Sequence, residues 1–260
     1  GSQVGKATKG AAAALLAKVL LTLDNNSEAA TVLRRIIANY GYELLPNYSD
    51  LWGVANENNA ESIFEVQYIS GGIGQGSLFT NDFSPSTDLQ TGSGFGRNRP
   101  TVSMMEAYED GDERYDVSMG DTYMNLEGEV VEQRYVKKYQ SDLAIENDSD
   151  INFVVLRYAD VLLMLAEALG ETPESYDLIN EVRNRAGLPD IDASTPGTFE
   201  DKLLQERRVE LAFENHRWPD LKRFGAVDKV IEAEDFITST KEYFFIPQRE
   251  MDINPNFNQN

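Results

Sequence analysis

The 260 residues carry 44 acidic and 23 basic side chains, a formal net charge of −21, and no cysteine. A surface of that sign repels nucleic acid and anionic lipid headgroups, and the lack of thiols removes disulfides, cysteine nucleophiles and cysteine-ligated metals. The length suffices for one large domain, and the longest apolar run, Ala11 to Ala17, is far too short to cross a bilayer.

Residues 7–23, ATKGAAAALLAKVLLTL, predict a helix, because alanine and leucine are strong helix formers. Ala12, Leu15, Leu16, Val19, Leu20 and Leu23 recur on one side of it, the side expected to face the core. DNNS (24–27) breaks the pattern, and Ser27 is placed to cap the next helix, EAATVLRRIIANY, with Ala29, Val32, Leu33, Ile36 and Ile37 inward. The hairpin over 7–40, with small residues Ala17 and Ala29 suited to close backbone approach, looks like a degenerate tetratricopeptide repeat. One such hairpin cannot bury its own apolar face and requires partners.

A loop-rich excursion over 60–152 follows. ESIFEVQYI (61–69) alternates like a strand, and Ser70 to Pro100 is crowded with Gly, Ser, Asn and Asp. A loop of that length inside a compact domain is more often functional than neutral. TVSMMEAYEDG predicts a short helix, EQRYVKKYQ a strand and ENDSD a turn. Helical pairs return over 153–235. FVVLRYADVLLMLAEALG predicts a helix, Pro173 opens the next and Gly187 stops it. A third unit runs from Thr198 to Arg217, with Thr198 and Asp201 in capping-box-like spacing. Trp52 and Trp218 are expected in the core, and the tail over 243–260 is read as a short strand and a segment held extended by prolines. The fold class is mostly α: tetratricopeptide-like helical hairpins, an alpha-alpha superhelix, with a loop-rich insertion carrying short strands, in a single domain over 1–260.

The stretch ERRVELAFENHRWPDLKRFG (206–225) holds the only histidine, His216, among many charged groups. It carries no nucleophile elbow and no H-E-x-x-H, so its better reading is structural. Glu206, Glu210, Phe213 and Arg217 share a helix face and are expected to pair with Arg207, Arg223 or Arg183. No metal or cofactor is expected. Asp148, Asp150 and Asn152 begin like a calcium loop but meet Phe153 where glycine belongs and Ala159 where the bidentate glutamate belongs. GGIGQG and GSGFGRNRP lack the Lys-Ser/Thr of a phosphate loop.

A neutral ligand fits the remaining chemistry. Sugars are bound by flat aromatic rings together with amide and guanidinium groups that reach hydroxyls. The excursion offers Phe79, Phe83, Phe95 and Tyr123 as rings, with Asn81, Arg97 and Asn98 beside them in sequence.

Four segments, LRYADVLLMLAEAL, INEVRNRAGLP, ERRVELAFENHRWPDLKRFG and IPQREMDINPNFNQN, follow one another as in the SusD/RagB family of outer-membrane nutrient-binding lipoproteins, which the chain resembles. PTVSMMEAYEDGDERYD and GKATKGAAAALLAKVLLTL look like that family's mid-chain and first-hairpin segments. The resemblance implies binding rather than catalysis: capture of an oligosaccharide at the cell surface and delivery to a SusC-like TonB-dependent outer-membrane transporter. Some relatives bind peptides instead, and a tetratricopeptide-type protein-interaction scaffold is the reading from another class. Family members are typically longer and attached to the membrane through an N-terminal lipid on a cysteine that this chain does not carry.

Overall fold

A computed structural model describes residues 4–85, 88–89, 92–233, 246–254 and 256. The chain, read from sequence as one domain, packs as two compact units, residues 1–217 and 218–260.

In the first unit, α1 (Lys9–Thr22) and α2 (Asn26–Asn39) form the expected antiparallel pair. The Thr8 hydroxyl accepts from the Ala11 amide to cap α1, while Asn25, not Ser27, precedes α2. The face of α1 that enters the core differs from the expected one. Ala13, Ala14 and Ala17 are sealed with Leu20 and Leu21, whereas Leu15, Leu16, Val19 and Leu23 are 44–70% exposed. Alanines let α1 lie close against α2, which a leucine face would hold away.

The excursion begins with β1 (Ser62–Val66), then the one-turn α3 (Phe79–Phe83), a small ladder of β2 (Asp88–Leu89) and β3 (Gly92–Ser93), and the short helices α4 (Val102–Met105) and α5 (Arg114–Ser118). A hairpin of β4 (Met119–Met124) and β5 (Val130–Val136) closes it. The next segment, expected to be helical throughout, starts as β6 (Phe153–Arg157), antiparallel to β1 with Glu65 opposite Val154. The β-branched pair Val154 and Val155 favours extended backbone, and β1 supplies the missing hydrogen-bond partners.

From there α6 (Tyr158–Leu169) runs through the centre, buried continuously from Tyr158 to Ala166. It packs on α2, α1 and α7 (Pro173–Arg185). Pro173 opens α7, and Gly187 follows it at φ +78°, a conformation glycine adopts without strain. The predicted cap of α8 (Phe199–Glu210) is present: Thr198 Oγ1 accepts from the Asp201 amide at 3.1 Å. α8 stops at Glu210, short of the expected Arg217, because Phe213 and Asn215 take left-handed backbone at φ 65° and 67°.

The second unit contains most of α9 (Arg217–Arg223), then α10 (Val227–Ala233) and α11 (Gln248–Ile253). Trp218, expected in the core, is 39% exposed. The tail expected to be extended is helical at Gln248–Ile253: Pro247 sits at its start, where a missing amide is harmless, and no proline interrupts the turn that follows. The strand expected at its beginning lies largely outside the described residues.

Candidate functional site

Glu206, Glu210 and Glu214 of the 206–225 stretch end in a buried charge hub. Glu206 and Glu210, one helical turn apart on α8, face the same way. Arg114 Nη1 donates to Glu206 at 2.6 Å and to Glu210 at 2.9 Å, while Asp112 accepts from Arg114 Nε and Nη2, each at 2.8 Å. Glu210 also accepts from Arg157 and Arg185. The left-handed turn after α8 swings Glu214 back to the hub, where it accepts from Arg157 Nε at 2.7 Å and Lys138 Nζ at 2.8 Å. Glu61 accepts from Arg157 at 2.9 Å and Arg185 at 3.1 Å. Arg183 reaches Glu206 as expected, but Arg207 pairs with Asp160 and Arg223 with Asp220. Burial alone would raise the Glu210 carboxyl; Arg185, Arg157 and Arg114 more than offset it and hold it well below the usual carboxylate range. Burial pushes the Lys138 ammonium down to about 8, against the pull of Glu214.

His216 belongs to this interior. It is 6% exposed, its Nδ1 lies 3.0 Å from Lys18 Nζ, and Lys18 donates to Asp160 at 2.9 Å. Burial lowers the imidazole to about 4, so it is neutral near pH 7. The hub ties α8 to the loops and elements around β1, α5, β5, β6 and α7.

The ring-bearing residues of the excursion separate into two groups. Phe79 and Phe83, 5.4 Å apart and stacked, pack on Tyr139 and Phe153 beside Val136 and Ile151. Asn81 is fully buried; its side-chain oxygen accepts from the Asn147 amide at 2.9 Å. These three residues build the floor. The segment after them lies along α3 through three backbone bonds: Phe95 N to Asn81 O at 2.8 Å, Gly96 N to Ser84 O at 2.9 Å and Arg97 N to Asp82 O at 2.7 Å. Gly94 permits the approach, since a Cβ there would stand 1.8 Å from the Pro85 carbonyl oxygen.

That arrangement presents Phe95, 37% exposed, at the surface. The Arg97 guanidinium carbon lies 4.9 Å from the ring centroid, and Arg97 Nη1 is fixed by Asp82 Oδ1 at 2.7 Å. Asn98 follows, exposed, at φ 51°, which asparagine tolerates. Tyr123 is elsewhere, on β4, half-buried with its ring edge-on to Tyr135 at 6.3 Å. Sequence reasoning missed Arg114, Lys138, Arg157 and Arg185 as hub members; the only local signal was a run of charged residues around Asp112. A separate cavity of about 700 Å³ at the N-terminal end of α1, walled by Tyr40, Tyr42 and Phe64, is lined by none of the residues selected from sequence.

A family model described as the SusD family matches residues 124–260, just over half of the chain. The chain belongs to the SusD family. SusD-like protein P2 of Formosa agariphila is 28% identical, aligned over 97% of this chain and 59% of its own length, so the chain spans about three fifths of that relative. A solved laminarin-binding SusD-like protein is 29% identical and superimposes with a TM-score of 0.81 over 97% of this chain and 63% of its own. Surface glycan-binding protein A from Bacteroides thetaiotaomicron, solved with laminarihexaose, matches with a TM-score of 0.85 over 99% of this chain and 65% of its own; at 22% identity it shows the shared SusD fold alone.

Proposed function

We propose that the protein binds an oligosaccharide at the cell surface without transforming it. It passes the ligand to a SusC-like TonB-dependent transporter in the outer membrane, where a lipid ahead of these residues holds it. The observation that carries this reading is the Phe95–Arg97–Asn98 corner. An aromatic ring stands at the surface, backed by a guanidinium and followed by an exposed amide, on a rigid floor of packed rings. Phe95 is exposed enough for the apolar side of a pyranose to stack on its ring, and the exposed Arg97 and Asn98 beside it can reach the sugar's hydroxyls. The likeness to a laminarin-binding relative supports a β-glucan as the first ligand to try.

Titration calorimetry with a panel of glucan oligosaccharides, laminarin fragments included, tests this. Phe95→Ala is expected to weaken binding about five- to tenfold, because an exposed stacking contact contributes on the order of 1 kcal/mol. Unchanged affinity in a folded Phe95→Ala protein removes the corner from the site, and binding of peptides in place of every glycan replaces the sugar reading.

A further inference from the structure

Two bonds tie Arg97 to Asp82 of α3. The Arg97 amide donates to the Asp82 carbonyl at 2.7 Å, and Arg97 Nη1 donates to Asp82 Oδ1, also at 2.7 Å. The anchor is itself fixed. The Asp82 amide donates to Leu78 O at 2.9 Å, and Thr80 and Asn81 beside it are buried. The Asp82 side chain is 20% exposed and that of Arg97 64%. Among the described residues no other carboxylate pairs with Arg97. The next cation, Arg99, turns back onto its own loop, with Nε donating to Gly96 O at 2.8 Å.

An ion pair this exposed contributes little to stability. It does change the charge that a ligand meets. A guanidinium carries several N–H donors, and the one bond to Oδ1 leaves the others for sugar hydroxyls. Left alone, an exposed arginine forms charge-assisted, forked pairs with carboxylate or sulfate groups. Here a carboxylate at 2.7 Å already cancels the cation, and the net charge of −21 repels an approaching acid. The geometry points to Asp82 as the specificity-determining residue of the Phe95–Arg97–Asn98 corner. It sets Arg97 beside the ring and neutralises it in the same contact, so that the site takes neutral oligosaccharides and turns away uronates and sulfated sugars. This deepens the ligand reading given above and rests on it.

A matched pair of probes reads this: a laminarin tetrasaccharide, and the same tetrasaccharide oxidised at C6 to its uronate, each titrated calorimetrically at low salt. The unsubstituted protein is expected to bind the neutral form at least about tenfold more tightly. Asp82→Asn keeps the size of the side chain and the backbone bond but removes the charge. It is expected to narrow the preference about three- to fivefold, the range of an exposed ion pair, and the change should shrink as salt rises. Asp82→Glu, which restores the charge, is expected to keep the preference. A purely structural Asp82 would lower both affinities together and leave their ratio alone. An unchanged ratio in Asp82→Asn, with Phe95→Ala still weakening the neutral probe, overturns this assignment and leaves the corner standing. So does an unsubstituted protein that prefers the uronate. Phe95→Ala without effect removes the corner, and the assignment with it.

Discussion

Glu210 accepts from three guanidinium groups at zero exposure, and the hub around it depends on that convergence. Replacing a buried ion pair with apolar groups can be neutral, but removing one partner strands the rest. Glu210→Ala is therefore expected to destabilise the protein by about 3–5 kcal/mol in urea titrations, and a loss below about 1 kcal/mol sinks this account. His216 gives a pH dependence of defined sign. Its ordinary value is 6.5 and burial lowers it to about 4, so between those values the unfolded chain holds a proton that the folded protein refuses. The stability from this group is complete above about pH 6.5 and drains as pH falls towards 4, on the order of 3 kcal/mol in all. His216→Gln should flatten the stability profile across that window, and an unchanged slope would mean that the imidazole titrates normally. The charge pattern of 206–225 was readable as structural from its spacing. Its partners were not, because Arg114 and Glu206 meet across 92 positions of chain that no local pattern links.

Among the elements, α1 shows how little periodicity says about direction when a helix carries apolar residues on two opposite faces. The leucine side looked like the core face because leucine buries more surface; the alanine side won because only small residues allow α1 and α2 to approach closely. Ala17 is fully buried at that contact, so Ala17→Leu should cost about 1–3 kcal/mol by overpacking, while Ala12→Leu on the exposed side should be nearly neutral in this chain. Thermal unfolding of both variants separates the faces, and equal effects would contradict the packing described. The start of β6 teaches a related lesson. Phe153–Arg157 continues the apolar pattern of α6 without a break, and pairing with β1 fixes as a strand what Val154 and Val155 locally favour.

At the scale of the whole molecule, net charge separates ligand binding from folding. A net charge of −21 repels itself, whereas the buried hub is shielded from mobile ions. Raising monovalent salt from about 0.01 to about 0.15 M should therefore raise the melting temperature, and affinity for a neutral oligosaccharide should stay constant over the same range. Affinity that falls with salt would indicate a charged ligand in place of a sugar. Caps, breaks and helix periods are local, so the sequence alone determined the α1–α2 pair, the Thr198 and Pro173 starts of α8 and α7, the family and the absence of thiol chemistry. Which face of α1 is buried, which of three phenylalanines reaches the surface and which cations meet Glu210 were decided by tertiary structure. Each depends on groups far apart in sequence competing for the same space, and local patterns do not record that competition.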